Sequence, residues 1–583
     1  MKVHSPQTAQ IVVVNCGGQY AHLIARKVRE QGVYSEIIQP NSPLWRSASG
    51  IIISGGPASV YDPTSPTVDP DIFTATKPNG DKIPVLGICY GMQLMAHLLN
   101  GTVTKADKGE YGPAMAYRLG RCALFDCTGE WDIHPSRVWM SHRDQVTVLP
   151  PGFVTVAATE TCPIAAMSNH LHFGVQFHPE VAHTTYGSAI LHNFVRWICD
   201  CTEDWDPTNR MAMLKAKTRA EAGNRPVLFF VSGGVDSAVA YRLACDALAP
   251  GQVTGYYIDT GLMRSDDHEL IKAVDPNIEI VGANFVELLV GASEPEDKRR
   301  IIGNAFIDVM DDLMGDQPDM ILGQGTIYPD TIESGGTEHA DLIKTHHNRA
   351  GRVRELITQG RVVEPLSLLY KDEVRQVGKE LGLPDELVSR HPFPGPGLAI
   401  RCLCSETASP LIAYADGWEV PIKTVGVQGD SRTFRHVYAL DIRTGCNRAV
   451  DLIASTNNFN RVIGTLRSLV PLEQMSVQKA GLTSERIEKL RVADCVARRF
   501  AVKSGFDKQV WQMPVVLIPL GTPEHPDSVV LRPVNSVDGM TADPVELPSN
   551  GQAWLVEELL DLDGICGVFM DYTPKPPGTI EWE

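Results

Sequence analysis

PVLGICYGMQLMAHLLNG, residues 84–101, joins a short apolar run to a glycine turn and then to a helix-spaced segment. Val85, Leu86 and Ile88 form the run, Gly87 and Gly91 flank Cys89, and the spacing of MQLMAHLL is helical. Cys89 therefore stands at a tight strand-to-helix turn beside a helix N-terminus. The glycines permit strained backbone there, and the positive end of the helix favours a thiolate whose ordinary pKa is about 8.5. The same order of strand, glycine turn and helix returns in PVLFFVSGGVDSAVAYRLACDAL, residues 226–248, with serines and glycines in place of the thiol. Around the first stretch, IVVVN from Ile11 and IIIS from Ile51 alternate with helical segments such as YAHLIARKVREQG. That alternation predicts an α/β domain with a parallel sheet covered on both faces.

With 583 residues the chain has room for three or four domains at roughly 150 residues each. Its 52 basic and 70 acidic residues give a net charge of −18, and no long Lys/Arg block occurs, so nucleic acid is a poor partner. The thirteen cysteines are an odd number without the dense spacing of a disulfide scaffold, which suits a reducing compartment. Cys199 with Cys201 and Cys402 with Cys404 lack partner pairs at zinc-finger spacing and read as ordinary thiols. The N-terminal MKVHSPQTAQIVVVNCGGQY has no signal-peptide core, and no run of about 18 apolar residues is present. A cytosolic chain with no membrane partner is expected.

Candidate partners for Cys89 lie in FGVQFHPEV, residues 173–181. In extended chain His178 and Glu180 project to one side, and Pro179 between them prevents a helix from redirecting either. A carboxylate beside an imidazole fixes its tautomer and supports the imidazolium formed when it takes a thiol proton. The loop SGGP at 54–57 offers backbone N–H groups at Gly55 and Gly56. With the amide of Tyr90, the Gly56 amide would form an oxyanion hole. Taken singly, each has a plain alternative: a buried structural cysteine, a surface His-Pro-Glu turn, a simple glycine turn. SGGP, GICYGMQ and QFHPEV in this order resemble the class I glutamine amidotransferase domain over about the first 200 residues. The resemblance implies Cys89 as nucleophile, His178 as base, Glu180 as its orienter, and release of ammonia from glutamine. It also places His142 and Asp144 of WMSHRDQV near the glutamine pocket, although the residues themselves read as a polar loop.

Beyond the charged linker KAKTRAEAGN, the loop Ser232, Gly233, Gly234, Val235, Asp236 and Ser237 forms a nest for pyrophosphate at a helix N-terminus. Asp236 is the candidate ligand for Mg²⁺ on the same phosphates. The Gly-Lys-Ser/Thr ending of a Walker A loop is absent, so γ-phosphoryl transfer is not the implied chemistry. SGGVDS resembles the loop of the ATP pyrophosphatases (adenine nucleotide alpha hydrolase-like), which adenylate a substrate and release pyrophosphate. Asp259 and Thr260 end the next strand, where open α/β sheets hold ligands, and suit an adenosine contact. The long polar stretch 323–352 reads as a lid, with Lys344, His346 and His347 on phosphate in preference to a metal.

SRHPFPGPGLAIR (389–401), KTVGVQGDSRT (423–433), SVDGMTAD (536–543) and KPPGTIEWE (575–583) are similar to the glutamine-hydrolysing GMP synthetase family, across essentially the whole chain. The resemblance implies xanthosine 5′-monophosphate (XMP) as the acceptor, aminated through an adenylyl intermediate with glutamine, ATP and Mg²⁺. It maps XMP contacts onto Arg299, Asp430, Gln512, Lys575 and Glu581; Arg300 stands beside Arg299 as an alternative. It also implies a glutamine amidotransferase domain over 1–205, an ATP pyrophosphatase domain over 206–405 and an α+β C-terminal region over 406–583. Residues of about 440–525 resemble the insertion of the longer, eukaryotic-type enzymes. The flanking segments AVDLIASTNNFNRVIGTL and WLVEELLDLDGICGVFMDYT each read as an amphipathic helix followed by a strand, so two copies of one small unit can pack together. A monomer is expected on that ground, with a homodimer as the alternative. The rival readings are a synthetase with another acceptor, such as NAD or asparagine synthetase, and a catalytically silent nucleotide-binding regulator.

Overall fold

A computed structural model describes the chain except residues 1–8, 19, 78, 127–130, 132–133, 182, 316, 318, 329, 331–350, 429–430, 442–451, 453–457 and 537–541. Asp430, Lys344, His346 and His347 lie outside the described residues. Two compact units are present: one holds residues up to Lys217 together with Tyr328, and the other runs from Thr218 to Ile327 and through the rest of the chain to Glu583. Among the described residues, no helix is long and apolar enough to cross a membrane.

In the first unit β1 (Ile11–Val14), β2 (Ser35–Ile38), β3 (Gly50–Ile53), β4 (Val85–Ile88), β5 (Thr102–Arg118), β6 (Ser136–Val148), β7 (Val154–Ala158), β8 (Ala166–Ser168) and β9 (His172–Val175) form one sheet. Their order is β2-β1-β3-β4-β9-β8-β7-β5-β6. From β2 to β9 the pairing is parallel, and the strands are buried apolar runs, as Val85–Ile88 shows. From β9 to β6 it is antiparallel. The parallel sheet expected from the sequence is thus one half of a mixed one, running from the edge strand β2 to β9. The physical reason is legible in β6, whose residues alternate buried and exposed and need only one covered face. Helices α1 (Ala21–Arg29) and α2 (Tyr90–Leu98) pack on the parallel half.

The second unit contains two larger sheets. In the first, β10 (Val227–Phe230), β11 (Val253–Asp259), β12 (Glu279–Gly282), β13 (Ile321–Gly323) and β14 (Val362–Val363) run parallel in the order β12-β11-β10-β13-β14. The order reverses at β10, so the crevice at its C-terminal end is the ligand position of such sheets. Helix α3 (Val235–Ala247) starts there, and α4 (Asp267–Val274), α5 (Pro295–Met314) and α6 (Lys371–Glu380) follow. The second sheet is mixed: β15 (Ile412–Tyr414), β16 (Gly417–Gln428), β17 (Ser431–Leu440), β18 (Phe459–Ser468), β19 (Val515–Ile518), β20 (Asp527–Leu531) and β21 (Ile565–Asp571), ordered β15-β16-β17-β18-β21-β20-β19.

Helix α7 (Ser484–Ser504) is capped by Thr483, whose hydroxyl accepts from the Arg486 amide (3.3 Å), and ends at Gly505 with φ +70°. Its buried stripe, Ile487, Leu490, Ala493, Ala497 and Phe500, joins Ile258, Phe285 and Ile302 of the first sheet region and Leu517, Val529 and Val568 of the second in one apolar cluster. The strands expected in the two small units pair with each other. Strand β18 lies antiparallel beside β21, with Ile463 opposite Asp571, and α8 (Gln552–Leu560) precedes β21. Most of the segment expected as the helix before β18 lies outside the described residues.

Candidate active sites

Strand β4 delivers Cys89 into a turn at φ +54°, ψ −108°, the left-handed side that a cysteine rarely adopts. The turn is held by its neighbours. The Cys89 amide donates to Val175 O (2.7 Å), and the amides of Met92 and Gln93 donate to Cys89 O (3.1 Å each). Gly87 and Gly91 leave no room for anything larger, since a Cβ on either would lie 2.5 Å or less from backbone oxygen. Cys89 itself is 5% exposed.

His178 reaches the sulfur from the segment after β9. Its amide donates to Trp139 O (3.0 Å), its carbonyl accepts from the Thr184 hydroxyl (2.6 Å), and its Nδ1 donates to Glu180 Oε1 (2.7 Å). Burial works against an imidazolium here, but the Glu180 carboxylate and Cys89 outweigh it and hold the His178 pKa at about 10. The structure thus brings Cys89, His178 and Glu180 together. Gly55 lies against the pair: a Cβ there would be 3.1 Å from His178 Cε1 and 3.6 Å from the Cys89 Cβ. Gly56 packs on Cys16 O, 2.5 Å from where its Cβ would be, and Tyr90 opens α2 with its phenol donating to Pro66 O (2.5 Å).

The WMSHRDQV segment, expected as a polar loop, is part of β6; Val138, Met140, His142, Asp144 and Val146 are its buried face. Ser141 O accepts from the Cys89 thiol (3.7 Å). Asp144 accepts from Ser59 (2.5 Å) and Tyr61 (3.1 Å). His142 donates through Nδ1 to Asp144 O (3.0 Å), and its Nε2 lies 3.1 Å from Glu110 Oε2. Glu110, His142 and Cys162 offer metal-ligating atoms within 4.8 Å of one another. Both ring nitrogens of His142 and both oxygens of Glu110, the latter through Thr159 and Thr161 as well as His142, are already hydrogen-bonded. These bonds tie β5 and β6 to the turn between β7 and β8.

Three further side chains, not singled out from the sequence, surround Cys89 and His178. Gln176 Nε2 donates to the Cys89 sulfur (3.6 Å), while Gln93 Nε2 bridges Gln176 Oε1 (3.2 Å) and Asp144 O (2.7 Å). Tyr20 stands edge-on to the His178 ring at 5.1 Å. Both glutamines lie inside the quoted motifs, so their position was the available signal; Tyr20 gave none.

In the second unit the loop Ser232–Ser237 links β10 to α3. It folds on itself: Ser237 Oγ donates to Gly234 O (3.0 Å) and accepts from the Ser232 amide (3.1 Å). Gly233 has φ +77°, and its carbonyl accepts from Arg390 Nη1 (2.9 Å). Gly325 runs so close that a Cβ would be 2.9 Å from the Ser237 amide. Asp236 Oδ2 accepts from Lys371 at the start of α6, and its buried Oδ1 has no hydrogen-bond partner among the described residues. Lys371 was also missed; it begins a helix after an apolar run and looked like ordinary surface. Asp259 accepts from the Gly261 amide (3.1 Å) and pairs with His268 (3.0 Å), while Thr260 is buried.

Of the residues expected to touch XMP, Gln512 and Glu581 meet: Gln512 Nε2 donates to Glu581 Oε1 (3.3 Å) and to Pro392 O (3.0 Å). Arg401 makes two bonds to the Glu581 carboxylate (2.9 and 2.7 Å). Burial pushes that carboxyl up, but the Arg401 guanidinium prevails and holds it below its ordinary value. Arg299 donates to Glu583 O, two residues along the tail. Lys575 pairs with Ala542 through reciprocal backbone bonds (2.7 and 3.1 Å).

The glutamine amidotransferase class-I family model matches residues 12–197, and the GMP synthase C terminal domain model matches residues 500–582. A protein named probable GMP synthase [glutamine-hydrolyzing], from Leptospira interrogans serovar copenhageni, is 42% identical over 98% of this chain and 99% of its own. GMP synthase [glutamine-hydrolyzing] from Streptomyces coelicolor is 37% identical over 98% of each chain. Among solved structures, a glutamine amidotransferase from Thermotoga maritima is similar over 33% of this chain and 100% of its own, at 17% identity and TM-score 0.26. Identity of 37 to 42% along nearly the full length of both chains in the two named synthases shows that this chain belongs to the glutamine-hydrolysing GMP synthase family.

Proposed function

We propose that the chain makes GMP from XMP, ATP and glutamine, with the nitrogen released in the first unit and the nucleotide activated in the second. The observation that carries the first half is the Cys89–His178–Glu180 constellation on a strained turn. Glu180 holds His178 as the imidazolium beside the sulfur, so Cys89 reacts as the thiolate and the ring already carries the proton that the leaving ammonia needs. The sulfur then attacks the glutamine amide carbon. The amides of Gly56 and Tyr90 receive the oxyanion, ammonia leaves with the proton supplied by His178, and water hydrolyses the thioester.

In the second half, Ser232, Gly233, Gly234, Val235 and Ser237 cradle the pyrophosphate end of ATP. Asp236, with one buried carboxylate oxygen unengaged among the described residues, fits a Mg²⁺ ligand, and the ion would offset phosphate charge. The XMP O2 attacks the α-phosphorus and pyrophosphate departs; ammonia then displaces AMP from the adenylyl-XMP carbon. Arg299, Asp430, Gln512, Lys575 and Glu581 hold XMP in this reading. The divisions 1–205, 206–405 and 406–583 are the proposed functional domains, and the cytoplasm is the proposed compartment. Residues of about 440–525 are read as an insertion of the eukaryotic type. The antiparallel pairing of β18 with β21 supports a monomer, since it joins the strands of the two proposed small units within one chain. Product analysis tests the reading: XMP, ATP, Mg²⁺ and glutamine should yield AMP, pyrophosphate, GMP and glutamate in equal amounts. ADP with orthophosphate would overturn it.

A further inference from the structure

Helix α7 carries one acid, Asp494, in a stripe whose other inward residues include Leu490, Ala493 and Ala497. Asp494 is 1% exposed and faces three arginines. Arg498, one turn on, donates through Nε to its Oδ2 (2.7 Å); Arg264 Nε lies 3.2 Å from the same oxygen; Arg401 Nη1 lies 3.8 Å from Oδ1. Each arginine leads elsewhere. Arg498 grips Asp266 with both terminal nitrogens (2.7 and 3.1 Å). Asp266 and its neighbour Asp267 hold Arg390, which in turn holds the Gly233 carbonyl of the phosphate loop (2.9 Å). On the other side, Arg401 grips Glu581 of the tail. Arg264 and Arg401 also lie over the Phe393 ring, at 4.4 and 5.1 Å.

A carboxylate so buried is not explained by stability alone. Well-packed apolar residues usually serve a helix stripe as well as or better than a buried ion pair. What the charges add is fixed direction: paired guanidinium–carboxylate bonds set angle as well as distance. The long Arg401–Asp494 contact also leaves room to tighten, since Oδ1 and Nη1 have no other hydrogen-bond partner among the described residues and an ordinary contact is about 2.8 Å.

We propose that Asp494 is a positioning residue for the synthetase reaction: it joins the loop that holds ATP to the tail that holds XMP and sets their relative placement. The inference rests on the preceding assignment of those two sites. Asp494→Asn keeps the shape and removes the charge. It should raise KM for both ATP and XMP about tenfold and lower ammonia-dependent kcat at least as much. Glutamine hydrolysis measured without nucleotides should be unchanged, and Asp494→Glu should recover part of the loss. Wild-type KM values for both nucleotides in folded Asp494→Asn protein would overturn the proposal. Should that variant fail to fold, Arg498→Met cuts only the branch toward the phosphate loop. It should raise KM for ATP more than KM for XMP, and no change in either would again overturn the proposal. Ser237→Ala and Glu581→Gln check the underlying assignment. If neither disturbs synthesis, the two sites are wrongly placed; if both do while Asp494→Asn does not, the sites stand and the linkage falls.

Discussion

The turn at Cys89 and the loop at Ser232–Ser237 share one local design, strand then glycine turn then helix, yet they are finished in opposite ways. Around Cys89 everything is closed: Cys89, His178 and Glu180 are each no more than 5% exposed, and protein atoms hold the sulfur, the ring and the carboxylate. The Ser232–Ser237 loop is open, with Ser232 and Gly234 exposed, and charged side chains from distant segments, Lys371 and Arg390, restrain it. In the proposed chemistry protein groups make and break bonds at the first site, and there the reacting geometry is built into the fold. At the second the proposed substrate brings its own leaving group and charge, and the protein supplies backbone donors and placement.

That contrast can be broken most sharply at Glu180. Glu180→Gln keeps the size but removes the charge that orients His178, and it should cut glutamine-dependent synthesis by roughly 10⁴-fold, the scale of the same change in a serine triad. Ammonium-dependent synthesis should stay at its original rate, and comparing initial rates with the two nitrogen sources checks it. Asp236→Ala should act on both sources alike, by about 10²–10³-fold, as expected for loss of one electrostatic contact to the transition state. A difference between sources in that variant would mean that the two regions are not separate in function. Gly55→Ala is gentler: its methyl would press on His178 Cε1 at 3.1 Å. A shift of a few tenths of an ångström should cost about tenfold in glutamine hydrolysis and nothing with ammonium, given that about 1 Å can cost about 10²-fold.

The smallest expected effect is on stability. His178 is held at a pKa of about 10 in the folded chain against 6.5 when unfolded. Its folded-state pKa is raised, so its contribution is complete below about pH 6.5 and disappears as the pH rises through about 10. The melting-temperature advantage of the wild type over Glu180→Gln should therefore narrow steadily between about pH 6.5 and 10. An advantage that grows over this range would show that the pair is not charged in the folded state.

How far the sequence anticipated the molecule followed from the range of each interaction. The strand-to-helix turns, the His178–Glu180 pairing and the glycines at 55 and 233 were legible because their causes lie within a few residues. The antiparallel half of the first sheet was less so, although the alternation in β6 carried the information and the polar letters of WMSHRDQV masked it. Contacts made by chain segments far apart were invisible. Lys371 on Asp236 spans 135 residues and Arg401 on Glu581 spans 180, and no local pattern specifies either. Asp494 had a faint signal, a lone acid among the apolar positions of a long helix with Arg498 one turn on, but its other two arginines, Arg264 and Arg401, come from distant segments.

Replacing the nucleophile gives the most direct test of the division of labour. Cys89→Ala, incubated with XMP, ATP and Mg²⁺, should form no GMP from glutamine. With ammonium salts at alkaline pH it should form GMP, AMP and pyrophosphate together at the wild-type rate. Loss of synthesis from both nitrogen sources in a folded protein would contradict the account.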